Sequence, residues 1–162
     1  DRLRREGFLA GVEGWHPWCK FRTKMESNEM DDLLGVPTIA NAIGLEVLSV
    51  ESGCVKGRLP VDHRTHQPYG LLHGGASVVL AETLGSVGSH FLVSDQGKAA
   101  VGVEVNANHV RSVRSGWVYG EAKIVHRGGK MHVWTIEIKD EADRLVCTSR
   151  LTVMIITQPS GN

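Results

Sequence analysis

Charge of one sign is what this sequence most conspicuously lacks. Lysine plus arginine and aspartate plus glutamate stand at 18 each, so the formal net charge is zero at pH 7. Nothing in that balance supports a nucleic-acid footprint or an electrostatic membrane anchor, although a local basic patch remains compatible with it. Cysteine is also sparse: Cys19, Cys54 and Cys147 are odd in number and far apart. They fit reduced thiols better than a disulfide framework or a zinc ribbon. No apolar run is expected to approach the roughly 20 residues of a membrane span, and residues 1–20 lack a signal-peptide core. A cytoplasmic location with no membrane or nucleic-acid partner follows as an expectation. Internal repeats and low-complexity segments are absent too. What is present, 162 residues that are 41% hydrophobic and 22% charged, is enough for one domain with a sizeable core and too little for two.

Residues 1–24 read as an N-terminal extension. Gly7, Gly11, Gly14 and Trp15-His16-Pro17-Trp18 break any period there, and the two tryptophans suit an arm packed on a neighbouring surface better than a ligand-contacting lid. Residues 25–162 form the single domain. Met30, Leu33, Leu34 and Ile39 suggest a short amphipathic helix within residues 25–42, interrupted near Pro37. From Leu45 the period changes to two. Strands are expected over residues 45–50, 55–61, 100–109, 117–126, 131–139 and 145–157, with Gly53, Ser115-Gly116, Gly128-Gly129 and residues 140–143 as turns. Between the second and third strands, residues 75–92 read as one long helix, apolar on nearly all sides. Two strands, a helix and four strands with short connections imply an α+β domain whose antiparallel sheet wraps the helix.

The chain is organised around residues 66–86, H-Q-P-Y-G-L-L-H-G-G-A-S-V-V-L-A-E-T-L-G-S. Pro68 and Gly70 turn the chain into His73, Gly74 and Gly75, and the helix that follows carries a single carboxylate, Glu82. Flanked by Val78, Val79, Leu80, Ala81, Leu84 and Val87, that carboxylate is expected close to an apolar surface, where burial without a partner is costly.

A helix entered through Q-P-Y-G-L-L-H-G-G-A-S, carrying L-A-E-T-L-G-S and wrapped by an antiparallel sheet, resembles the hotdog-fold acyl-CoA thioesterases. The likeness is strongest to the phenylacetate-degradation-type and 1,4-dihydroxy-2-naphthoyl-CoA hydrolase-like branch, the helix-carboxylate type of 4-hydroxybenzoyl-CoA thioesterase, and covers roughly residues 28–157. The resemblance implies hydrolysis of an acyl-CoA, with an aryl or polyketide-like acyl group, and no cofactor beyond the CoA of the substrate itself. It implies Glu82 as nucleophile or general base, with Gln67 and His73 ahead of the helix. Gly74 falls where the family has the backbone donor to the thioester oxygen, and Ser86 where it has a hydroxyl near the attacking water. CoA-binding stretches fall on Gly102, on His109, Val110, Arg111 and Ser112, and on His126, Arg127, Gly128, Gly129, Lys130 and Met131. Val87 falls beside the acyl pocket. A homodimer with shared sites, paired again into a homotetramer, is implied as well. The Trp15 segment has no counterpart.

Those residues suit the chemistry in their own right. Thioester hydrolysis needs a base or nucleophile for the carbonyl carbon and donors for the oxygen that becomes negative. Gly74 and Gly75 at a helix start offer exposed N–H groups and the positive end of the dipole. Glu82 and Ser86, spaced i, i+4, share one helix face. Each also has a bland reading: a Gly-Gly turn, a solvated helix glutamate, a loop histidine. Their joint occurrence in 21 residues favours the functional one. His63, Arg64, His66 and His73 make a poor metal site, because zinc sites seldom show such spacing. Arg111, Arg114, Arg127 and Lys130 could hold CoA phosphates or be ordinary solvated turn residues. Met131, Trp134, Ile136 and Ile138 read as sheet core. A non-catalytic acyl-CoA-binding module is the alternative to an enzyme, against which stands Glu82, a residue that mere binding does not need. A dehydratase of the same fold is weaker, for want of its histidine-to-acid arrangement. Finally, the helix rises about 10 Å between Gly75 and Glu82. One chain would therefore struggle to reach both sides of a carbonyl, which is a second reason to expect a dimer.

Overall fold

The structure is a computed structural model that describes residues 24–25 and 35–157. The expectations for the tryptophan arm and for Met30, Leu33 and Leu34 lie outside those residues. Strands β1 (Glu46–Glu51), β2 (Cys54–Pro60), β3 (Lys98–His109), β4 (Trp117–Arg127), β5 (Met131–Asp140) and β6 (Leu145–Thr157) form one sheet in the order β1-β2-β4-β5-β6-β3. Every neighbouring pair is antiparallel. Among the described residues two α-helices accompany it, α1 (Ile39–Ile43) and α2 (Gly74–Val93).

Local chemistry sets these boundaries. Helix α1 starts just after Pro37, with Thr38 as N-cap in a capping box with Asn41, and ends at Gly44 in the left-handed region (φ 73°), where glycine carries no Cβ penalty. The β5–β6 hairpin is tied by Asp140, whose carboxylate accepts from the N–H groups of Ala142 and Arg144, both at 3.0 Å, and from the Arg144 guanidinium at 2.8 Å. These donors hold the Asp140 carboxyl below the usual carboxylate range. Helix α2 begins where His73 turns extended (φ −69°, ψ 131°) and caps it through the ring. Lys24 and Met25 extend the β1 edge, with the Met25 N–H bonded to the Val50 carbonyl at 3.0 Å.

Helix and sheet meet through reciprocal glycines. Leu80 and Leu84 of α2 press on Gly57 and Gly120 of the sheet, where an added Cβ would lie 2.7 Å and 2.8 Å from Leu84 methyls. In return, Gly85 and Gly88 of α2 let the sheet rise into the helix. A Cβ on Gly88 would lie 2.5 Å from the Trp134 ring, and one on Gly85 at 2.5 Å from Leu151. Trp134 is fully buried, and its indole N–H donates to Ser89 Oγ at 2.8 Å, which meets the requirement that a buried indole find an acceptor. Ser89 also hydrogen-bonds buried His132 through Nδ1 at 3.1 Å.

Two expectations are corrected. Met131 is not core but 42% exposed, in an outward row with Met154 and Val101. It has the odd parity of the outward positions of β5, whereas Trp134, Ile136 and Ile138 have the even, inward parity. Next, residues Gly74–Gln96 are in fact long and apolar enough to cross a membrane, with a mean hydropathy of 1.3; yet the apolar window is 61% buried inside the protein, as befits a helix whose partner is its own sheet. The expected wrapping of α2 by the antiparallel sheet is borne out, and Glu82 lies on the exposed side of the helix.

Candidate active site

Two groups of candidate residues form along α2. At its start, His73 Nδ1 accepts from the Gly75 N–H at 2.8 Å. Only Gly74 therefore keeps an N–H with no partner among the described residues, not both glycines as the sequence suggests. Since Nδ1 is an acceptor, the neutral His73 ring carries its proton on Nε2. His109, from the end of β3, lies against this turn: a Cβ on Gly74 would sit 2.7 Å from His109 Nε2. Only glycine gives the imidazole that closeness to the backbone. Gln67 stands in the turn before, its backbone bonded to Leu71 and Gly70 and its side-chain oxygen accepting from the Tyr69 N–H. The carboxamide NH2 is left to donate.

The second group lies two turns on. Val79, Glu82, Thr83, Ser86, Val87 and His90 form one wall of a groove of about 530 Å³, and Thr38, Ile39 and Ala40 form the other. Glu82 is exposed and joins none of the ion pairs among the described residues. The burial expected of it is absent in a single chain because the apolar neighbours in sequence, Leu80, Ala81 and Leu84, point to the opposite face and have zero exposure. Gly102 of β3 lies against it: a Cβ there would lie 2.6 Å from Glu82 Oε1. Ser86 lines the same groove, and Val87, 6% exposed, forms part of both groove and core.

The remaining candidates separate. His109, Val110, Arg111 and Ser112 lie where α2 begins, with the Arg111 Nε–H donating to the Leu145 carbonyl at 3.3 Å. His126, Arg127, Gly128, Gly129, Lys130 and Met131 form the β4–β5 turn at the opposite end, where Arg127 reaches the Leu92 carbonyl at 3.5 Å near the end of the helix. Within one chain the two CoA stretches do not meet, and neither do Glu82 and Gly74. Sequence reasoning missed the α1 wall and His90. The α1 residues signal only a short helix, and His90 falls outside the stretch that carries the motif; its place eight residues after Glu82, near the same face, was the available signal. Among the described residues no three His, Cys, Asp or Glu side chains are grouped to hold a metal. His66 instead bonds the Arg114 carbonyl at 2.9 Å.

One long central helix on a six-stranded antiparallel sheet is the architecture of the hotdog thioesterases. A model of the thioesterase superfamily matches residues 69–147. The 1,4-dihydroxy-2-naphthoyl-CoA hydrolase of Escherichia coli is 55% identical over 102 residues, 63% of this chain and 74% of that protein. The proofreading thioesterase EntH of Klebsiella pneumoniae is 44% identical over 119 residues, 74% of this chain and 86% of that one. The crystal structure of a thioesterase from Haemophilus influenzae matches at a TM-score of 0.78 and 38% identity, covering 86% of this chain and 97% of that one. The chain thus belongs to the thioesterase superfamily.

Proposed function

We propose that this protein hydrolyses an acyl-CoA thioester, with an aryl or polyketide-like acyl group, to the free acid and CoA, and that Glu82 is its base or nucleophile. The observation that carries the reading is the Glu82 carboxylate, in no ion pair among the described residues and set in a groove of acyl-group size against a strand glycine. The name of the Escherichia coli relative, a naphthoyl-CoA hydrolase, supports the aryl acyl group. As a base, Glu82 removes a proton from water held by Ser86, and the hydroxide adds to the carbonyl carbon. The oxyanion is met by the Gly74 N–H and the positive end of α2, with His73 Nε2–H and the Gln67 amide as candidates for further donors. Collapse expels the CoA thiolate, which takes up the proton. As a nucleophile, Glu82 adds directly, expels the thiolate and leaves a mixed anhydride for water to cleave. The protein's own groups and water suffice for either route.

The site is completed by a second copy. From Gly74 to Glu82 the helix rises about 12 Å, so the oxyanion donor and the carboxylate of one chain cannot flank one carbonyl. Strand β3 ends the sheet order and its outer edge has no partner strand among the described residues, and such an edge invites pairing. Antiparallel pairing of two β3 strands about a two-fold axis reverses one chain against the other. It sets Glu82 opposite the partner copy's helix start and brings the 109–112 stretch to the same end as the partner copy's 126–131 turn. Two inactive variants test both claims. Glu82→Ala should lose hydrolysis by several orders of magnitude while acyl-CoA affinity stays within about tenfold. Co-expressed with Gly74→Val, it should recover about a quarter of wild-type activity, because half the dimers are mixed and each holds one intact site. Turnover by Glu82→Ala alone would refute the carboxylate's role; no recovery despite proven subunit exchange would refute shared sites.

A further inference from the structure

The groove beside Glu82 has one sturdy wall and one slight one. Its α2 side belongs to a helix of 20 residues packed on the sheet, whereas Thr38, Ile39 and Ala40 belong to α1, a helix of 5 residues with its N-cap. No residue of α1 is buried, and Ile39 is 60% exposed. A helix that short does not hold itself together in water, still less hold its place. Ile43 packs against the core from its last position. A second anchor lies just beyond, where Gly44 turns left-handed at φ 73°. The three atoms nearest to the side chain that Gly44 lacks all belong to the Arg64 guanidinium, with Cζ 2.9 Å and Nη2 3.1 Å from where a Cβ would stand. The guanidinium thus lies against bare backbone, at the end of α1 where helix carbonyls favour a cation.

Arg64 is itself fixed from both sides. Its Nη2–H donates to Asp62 Oδ2 at 2.6 Å, its Nε–H reaches both Asp62 oxygens at 3.1 Å and 3.2 Å, and its backbone N–H donates to Asp62 Oδ1 at 2.9 Å. Such a fork sets direction as well as distance. The turn that carries the pair is tied down in the core by Thr65, 2% exposed. Thr65 Oγ1 donates to the Pro60 carbonyl at 2.7 Å and accepts from the Asp62 N–H at 3.1 Å. The Thr65 carbonyl in turn accepts from the His73 N–H at 2.8 Å. One short turn therefore grips the cap of α2 through its backbone and the end of α1 through a side chain. Neither grip involves Glu82 or Ser86.

We propose that Arg64 is a positioning residue: paired with Asp62, it braces α1 against the start of α2 and so sets the width of the groove beside Glu82. This rests on the acyl-CoA hydrolysis proposed above. Arg64 touches no substrate in this role; it acts through Gly44 on the wall formed by Thr38, Ile39 and Ala40. The Arg64 and Asp62 side chains are 38% and 34% exposed, and an ion pair so placed adds little to global stability. What it fixes is position. An acyl group that fills the groove needs both walls, whereas a small one lies on the α2 side alone.

The test measures thiol release from the bulkiest and the smallest acyl-CoA that the wild type hydrolyses in a panel of aryl and aliphatic esters. Arg64→Ala should raise KM for the bulky ester by about tenfold, the worth of a lost apolar contact or two. Its kcat should stay near wild type, because contacts made alike in ground and transition states are what is lost. Both constants for the small ester should stay within about twofold. Arg64→Lys keeps the charge beside Asp62 without the planar fork and should recover part of the loss. Turnover of the small ester reports an intact fold; should Arg64→Ala not fold, Asp62→Asn decides, with a smaller rise in the same KM. A loss shared equally by both esters, a fall in kcat at constant KM, or no change in any constant overturns the brace and leaves the hydrolase standing. No turnover of any ester in the panel by the wild type overturns the hydrolase reading itself.

Discussion

Replacing Gly102 with alanine separates catalysis from stability. The new Cβ would lie 2.6 Å from Glu82 Oε1, 3.6 Å from Cδ and 3.9 Å from Cγ, so only the carboxylate oxygen is crowded. To reach ordinary contact at 3.4 Å that oxygen must retreat by about 0.8 Å, which the flexible glutamate does by rotating its terminal torsions. The fold is not asked to yield. Gly102 has no left-handed φ, and alanine in a strand is favoured over glycine by about 0.5–1 kcal/mol. Thermal denaturation should therefore show an unchanged or slightly raised Tm. Activity should not survive as well: a reacting group misplaced by about 1 Å costs on the order of a hundredfold in rate. Thiol release under saturating acyl-CoA reads kcat directly, and the expected result is a fall of about that size with little change in KM. A Gly102→Ala protein with wild-type kcat would show that the carboxylate does not react from its place beside this strand. A collapse in Tm would show instead that Gly102 serves the sheet.

Val87→Met should narrow the groove and reduce kcat/KM for bulky aryl-CoA esters by about tenfold more than for short acyl-CoA esters; equal effects would remove Val87 from the acyl pocket. Gly88→Ala should destabilise by about 1–3 kcal/mol despite the helix propensity gained, because its Cβ would meet the rigid Trp134 ring at 2.5 Å and Val55 at 2.9 Å. A raised melting temperature would count against that packing. His132, 1% exposed, has its pKa lowered from 6.5 to about 4, first by burial and then by Arg127, His126 and Lys98. Below pH 6.5 the unfolded chain takes up a proton that the folded one refuses. Stability is thus whole above that pH and declines toward pH 4, by at most about 3 kcal/mol and less where water screens the ring. Urea midpoints of wild type and His132→Gln should converge over that interval, and parallel slopes would refute the assignment.

Much of this was legible in the sequence because strand alternation and turn residues act locally. The six strands and the long helix fall within about two residues of their expected ends, and the shared helix face expected of Glu82 and Ser86 is seen as the wall of one groove. What was not legible depends on contacts between distant segments. No periodicity tells that β3 joins β6 at the far edge rather than its neighbour β4, or that Gly102 would meet Glu82. His73 spends its Nδ1 on the Gly75 amide, a choice set by the backbone angle at the cap and not by residue type. Met131 shares the apolar character of Trp134, and only its parity along β5 places it outside.

The glycines that let Trp134 and Leu151 rise into α2 also decide when that helix can form. Gly74, Gly75, Gly85 and Gly88, with Val78, Val79, Thr83, Val87 and Val93 among them, make a weak autonomous helix, and a fragment spanning residues 70–97 should be largely unstructured in water. Helix α2 therefore persists only once a sheet is there to hold it, and that sheet is closed by pairing β3 with the last strand of the chain. Such distant pairings delay the rate-limiting step of folding. Until they form, an apolar segment of membrane-spanning length remains uncovered, so a newly made chain relies on rapid sheet closure, or on a chaperone, to escape aggregation.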